Sequence, residues 1–162
     1  MATEQLGQGP KFSIDISKHE YTAGKREFEL DGFSIFVYTL EMIVCEKLRA
    51  ICQQMPEYGP VVKRGRAGSP RARDFIDIHT LMTARQIDLT TKENRELLAQ
   101  VFAAKRVRLS LLGEIGKYRE FHRTNYNAVA ATVKAGVILR EFDFYVDFVL
   151  NLIKQLEPLG DE

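Results

Sequence analysis

Apolar and polar positions along the chain repeat with a period of two at first, and with a period near 3.6 from Thr39 onward. In Lys11-Phe-Ser-Ile-Asp-Ile-Ser17, Phe12, Ile14 and Ile16 alternate with Ser13, Asp15 and Ser17, which predicts a strand with one apolar face. Glu27 to Leu30 and Phe33 to Tyr38 predict two more strands around the Asp31-Gly32 turn signal. Residues 1–10, polar and rich in glycine, predict a flexible tail. Two or three strands are marginal by themselves, so the sheet predicted over 11–38 needs a helix or further strands to cover it.

The helical period opens at Thr39, a good N-cap, with Glu41 in the first turn. Leu40, Ile43, Val44, Leu48 and Ile51 form one stripe, and the helix ends before Pro56. A loop rich in Gly, Pro and Arg follows. Ser69-Pro70 then starts a second helix to about Ala84, with proline at the first helical position. Further helices are predicted over about 92–104, 107–115, 118–134 and 138–157, with Gly113, Gly116 and Gly136 as breaks. In the last of them Phe142, Tyr145, Val146, Val149, Leu150 and Ile153 make an amphipathic face. The expected architecture is α+β. A small N-terminal sheet leads into a mainly helical bundle, as one domain over 11–162 in which a helix–loop–helix over 39–84 precedes C-terminal helices over 90–158.

Composition narrows this picture only a little. The 162 residues are 45% hydrophobic and 28% charged, enough for a core without metals or disulfides, and the net charge of +1 names no partner. No apolar run approaches the roughly 20 residues of a membrane span, and Met1 to Pro10 has no apolar signal core, so the cytoplasm is expected. Cys45 and Cys52 lie seven apart on one helix, roughly 10 Å along its axis and too far for an unstrained disulfide.

Three groups of residues break the pattern. Lys47 falls in the middle of the apolar stripe of its helix, whereas Glu46 and Arg49 are expected on the solvated side. Such a lysine must snorkel, pair with an acid or enter a polar cleft. Asp74 and Asp77, three apart on the next helix, share a face with Ile78 and Leu81 and require a cation, for which Lys47 is the evident candidate. The set reads either as a phosphate-handling cluster, with carboxylates orienting the lysine, or as a buried bridge between two helices. Thirdly, Lys63, Arg64, Arg66, Arg71 and Arg73 occur with no acid between Glu57 and Asp74, which suits phosphate or RNA backbone contact as well as it suits a solvated loop. Asp15 is expected, from the alternation, on the polar side of its strand with Ser13 and Ser17. His19, His79 and His122 show no metal-ligand spacing and read as incidental. Neither G-x-S-x-G nor a P-loop is present.

Ile35-Phe-Val-Tyr-Thr-Leu-Glu-Met-Ile-Val-Cys-Glu-Lys-Leu-Arg-Ala50, followed by Arg71-Ala-Arg-Asp-Phe-Ile-Asp-Ile78, resembles the AbiEii/AbiGii nucleotidyltransferase toxins, whose pattern is a strand, a helix of the form E-x-I-x-x-E-K-L-x-A, then R-D-x-x-D-L/I. A weaker likeness continues through Val101-Phe-Ala-Ala-Lys-Arg and Phe142-Asp-Phe-Tyr. The resemblance implies that the small sheet is a remnant of a polymerase-beta-like nucleotidyltransferase sheet. It implies an enzyme that binds a nucleoside triphosphate with Mg²⁺ and transfers a nucleotide, in some members to tRNA, as the toxin partner of an antitoxin. Carried over by position, Lys47 is the phosphate-binding lysine and Asp74 and Asp77 the catalytic acids. Asp15 falls where a metal carboxylate would; the basic side chains 63, 64, 66, 71 and 73 are expected phosphate contacts on their charge alone, apart from the resemblance.

One departure is plain. The family's opening motif is Gly-Ser followed, about ten residues on, by Asp-x-Asp, which holds the metal ions. Gly68-Ser69 has no such sequel, and the fourteen residues before Asp15 contain Glu4 and no aspartate. The expectation is a catalytically incomplete chain, through truncation or a split gene, through a motif supplied by another chain, or through lost activity. Two non-enzymatic readings stand beside it: a self-associating interaction module with a structural Lys–Asp bridge, and an RNA-binding protein working through the 63–73 loop.

Overall fold

The computed structural model describes residues 19–133 and 137–160. The tail over 1–10, the strand predicted over 11–17 with its Asp15, and Gly136 lie outside them.

The described chain is α+β, a two-stranded sheet followed by helices. Asp31 and Gly32 have φ of 51° and 81°, the pair of left-handed residues a type I′ turn requires. They join β1 (Arg26–Leu30) to β2 (Phe33–Val37) as an antiparallel hairpin with Phe28 opposite Ile35 and Leu30 opposite Phe33. Thr39 then caps α1 (Leu40–Cys52), its side chain accepting from the Met42 N–H. The predicted loop holds a 3₁₀ turn, Pro56–Val62. Next come α2 (Ala72–Arg85), α3 (Lys92–Ala104), a 3₁₀ segment Leu109–Tyr118, the short α4 (Arg119–Arg123) and α5 (Tyr126–Ala130), and α6 (Phe142–Leu156). The helix predicted over 107–115 is thus 3₁₀, and that over 118–134 is broken in two. Gly113 and Gly116 weaken helix formation in the first of these.

The core lies among α1, α2, α3 and α6. Val44, Cys45, Leu48, Ile51 and Cys52 of α1 are fully buried, as are Phe75 and Ile78 of α2, Val101 and Phe102 of α3, and Phe142, Val146 and Val149 of α6. Each large side chain of this kind contributes about 1.5–3 kcal/mol by leaving water. Phe75 meets Phe142 edge-on at 5.5 Å, tying α2 to α6. Cys45 and Cys52 are free and buried; burial pushes the Cys45 thiol up to about 12 and raises that of Cys52 as well. No described helix is long and apolar enough to cross a membrane.

Arg49 corrects the expectation of a solvated side chain. It is 6% exposed and pairs with Glu46 one turn back and with Glu20 at 3.8 Å. The chain before β1 and Lys105 at the end of α3, bonded to Glu20 at 2.9 Å, close over that side of α1. A helix-phase rule cannot see a cover supplied by distant residues.

Candidate functional site

α1 and α2 pack side by side, and their shared face carries the charges. Lys47 projects from the middle of α1 toward the N-terminal half of α2. Its Nζ donates to Asp74 Oδ1 at 3.0 Å and to Asp77 Oδ2 at 2.7 Å. The amine and both acids therefore converge, as their spacing predicts. Asp74 sits in the first turn of α2, where the helix dipole favours an anion. Its second oxygen accepts from Arg71 Nε at 2.6 Å, so one carboxylate bridges a lysine and an arginine. The Asp74 side chain is 9% exposed and that of Lys47 23%. Burial pulls the Lys47 ammonium down, but the hydrogen bond to Asp77 and the charge of Asp74 outweigh it, and its pKa stands above the ordinary lysine value. The amine is held charged. Two of its three N–H groups are engaged, and the terminal nitrogens of Arg71 make no hydrogen bond among the described residues. The cluster thus leaves donors on two cations whose positions one buried acid fixes.

The sequence reading missed the residues that hold this end of α2. Arg71 occupies the N-cap position without a side-chain cap. Its backbone N–H donates instead to His122 Nδ1 at 3.1 Å, and the next N–H, of Ala72, donates to Asn125 Oδ1 at 3.2 Å. Asn125 Nδ2 returns a bond to the Pro70 carbonyl at 3.2 Å. These bonds also explain why the helix begins at Ala72 and not at Pro70. His122 is wholly buried beside Phe75, and burial pushes its pKa down to about 4, so the ring is neutral and Nδ1 accepts. Its Nε2 is buried without a partner among the described residues. Nothing local in the sequence signals this, because the capping residues lie more than fifty positions away. His79, also read as incidental, packs edge-on against Phe144, Tyr145 and Phe148.

The basic loop does not act as one patch. Arg64 turns inward, and its guanidinium donates to the carbonyls of Gln53 at 2.6 Å, Gln54 at 3.4 Å and Met55 at 3.2 Å. It thereby satisfies the carbonyls of the C-cap residue Gln53 and of the two residues that follow α1. Arg73 donates to Thr132 Oγ1 at 3.1 Å. Lys63 and Arg66 line a cavity of about 580 Å³ with Tyr118 and Phe121, away from the Lys47 cluster's bonded set. Gly68 has a packing reason: a Cβ there would stand 2.1 Å from the Gln54 carbonyl oxygen.

Comparison with known families decides the kinship. The family model described as nucleotidyl transferase AbiEii toxin, type IV toxin–antitoxin system, matches residues 3–148. The chain belongs to the AbiEii toxin family. No curated protein matches it, and no solved structure does. AbiEii proteins are nucleotidyltransferases of type IV toxin–antitoxin systems, a class of enzyme that works on a nucleoside triphosphate with a metal ion and is paired with an antitoxin. Among the described residues no three His, Cys, Asp or Glu side chains stand close enough to hold a metal ion. Asp74 and Asp77 are each already bonded to a cation. The described residues therefore do not form a metal site.

Proposed function

We propose that the α1–α2 cluster of this AbiEii-family chain is an anion-holding half-site for the phosphates of a nucleoside triphosphate. Lys47 and Arg71 supply the donors, while Asp74 and Asp77 hold the lysine in place. The supporting observation is the bridging carboxylate: Asp74 is nearly buried and orients both cations at once, through bonds of 3.0 and 2.6 Å. Donors fixed in this way bind phosphate oxygens with little reorganisation. The carboxylates of the Asp-x-Asp type that a transfer reaction needs do not occur in the chain, so nucleotide binding without turnover is the activity assigned to these 162 residues. An antitoxin is the protein partner that the family's systems imply.

The test is calorimetric titration with each of the four ribonucleoside triphosphates, with and without Mg²⁺. Arg71→Gln, at a side chain that is 41% exposed, leaves the Lys47 bridge intact and should weaken binding about tenfold, the loss of one charge-assisted hydrogen bond. Lys47→Ala should weaken it further. Tight binding indifferent to both substitutions refutes the half-site.

The alternative is a structural bridge. It is favoured by the saturation of Asp74, both of whose oxygens are engaged inside the protein. On that reading Lys47→Met and Asp74→Asn destabilise the fold alike, and no triphosphate alters the melting temperature of the unmodified protein.

A further inference from the structure

The hairpin presents the largest mismatch between side chains and surroundings. Every residue from Arg26 to Leu30 and from Phe33 to Val37 is exposed. The strand register nonetheless sorts them sharply. Phe28, Leu30, Phe33, Ile35 and Val37 share one face with Arg26, whereas Glu27, Glu29, Ser34 and Phe36 share the other. On the polar face Lys25 covers the one aromatic ring, its Nζ standing 4.3 Å from the Phe36 centroid. On the apolar face nothing comparable occurs among the described residues, and exposure reaches 54% at Phe28, 52% at Leu30 and 73% at Phe33. No described helix packs extensively against either strand. An isolated two-stranded hairpin is marginal in water, and one-sided alternation of this kind belongs to a sheet whose apolar side is covered.

We propose that the cover is the same face of a second copy, so that two hairpins stack into a four-stranded sandwich about a two-fold axis. Three observations favour that occupant. The face is self-complementary in character, since it is apolar along its length and an isologous contact matches each such patch with itself. It is also one-sided: the acidic reverse face opposes further stacking, so association stops at two. Finally, Arg26 lies at the open end of the face and Asp31 in the turn at the other. Antiparallel stacking sets each arginine near the partner copy's turn, while parallel stacking would bring the two arginines together. The five apolar side chains expose roughly 400 Å² per copy at the areas typical of such residues. Two faces thus bury about 800 Å², below the roughly 1,000–1,200 Å² of durable complexes. A reversible dimer with a Kd on the order of micromolar or weaker follows.

Sedimentation equilibrium of the full chain, over a concentration series from low micromolar to several hundred micromolar, tests this. The expected result is a single monomer–dimer equilibrium. Phe33→Asp should raise Kd at least tenfold, and Arg26→Asp should weaken association less. Phe36→Asp, on the reverse face, should leave it unchanged. Helical circular dichroism checks that each variant keeps its fold. A monomer at every concentration overturns the dimer, whether hydrogen exchange then finds the hairpin amides open or protected. A series of species larger than two overturns it too, as does equal sensitivity to Phe33→Asp and Phe36→Asp.

Discussion

The α1–α2 seam and the β1–β2 hairpin depart from the ordinary distribution of side chains in opposite directions. In the seam, charges sit inside: Lys47, Asp74 and Asp77 lie between two helices, and Arg71 closes the set. On the hairpin, apolar side chains sit outside, with Phe33 73% exposed. In the seam each acid meets a cation at hydrogen-bond distance, and the nearby helix start is capped by His122 and Asn125. The hairpin is complete only in its backbone pairing, and its apolar face has no partner among the described helices. Paired charge between two helices is costly to break by removing one partner, whereas an apolar face without a partner of its own is open to being covered by another surface.

Breaking the seam should have the largest effect. Asp74→Ala removes the carboxylate that two cations share and leaves Lys47 half-buried with Asp77 as its remaining partner. Leaving a fully buried charge without a partner costs about 3–5 kcal/mol; because Lys47 keeps Asp77 and Arg71 is partly exposed, urea unfolding should register a loss at or below the lower end of that range, about 2–3 kcal/mol. Asp77→Ala, at a side chain 33% exposed, should cost about 1 kcal/mol, as a partly solvated pair does. Equal losses from the two would mean that Asp74 has no special place as the bridging acid.

How much of this contrast was legible in the sequence follows from the range of each interaction. The hairpin was legible because its determinants are adjacent: Asp31-Gly32 sets the turn and strict alternation sets the faces. The Lys47–Asp74–Asp77 contact was legible because each residue violates the periodicity of its own helix, and two violations on consecutive helices can answer each other. Arg49 was misplaced for the converse reason. Its helical phase is solvated unless Glu20 and Lys105 are brought over it, and neither lies on that helix. The caps on α2 were invisible because His122 and Asn125 act across more than fifty positions. Arg64 counted as one more cation of a basic loop, although in the fold it serves the end of α1. Periodicity reports what a residue needs, and only tertiary structure reports what answers it.

The pH dependence of the seam should be next in size. Burial lowers His122 from 6.5 to about 4, so the folded protein refuses a proton that the unfolded chain accepts between those values. Above about pH 6.5 both states hold the neutral ring and the stabilisation is whole. As pH falls toward 4 it is lost at up to about 1.4 kcal/mol per unit, or about 2 kcal/mol between pH 6.5 and pH 5. The raised carboxyl of Glu46, caused first by burial, works in the opposite sense, so the informative quantity is a difference between variants. His122→Gln keeps an acceptor for the Arg71 N–H but does not titrate. Subtracting its unfolding free energy from that of the parent at each pH should isolate a slope of this sign. A difference independent of pH would place the histidine in a solvated environment.

The smallest effect belongs to the hairpin, and its smallness is the sharpest form of the comparison. If β1 and β2 contribute nothing to the helical core, then Phe28→Ser should change the unfolding free energy of the helices by less than about 0.5 kcal/mol, as exposed substitutions do. The measurement belongs at a protein concentration below that of association, with helical ellipticity as the probe. Phe75→Ala, in the core between α2 and α6, should cost about 3–5 kcal/mol in the same experiment. The two rings are alike chemically and differ only in what surrounds them: Phe75 is fully buried, while Phe28 is 54% exposed. A loss above about 2 kcal/mol at Phe28 would mean that its ring is buried against the helical body in solution. The face would then already be covered within one chain, and the seam and the hairpin would no longer be opposites.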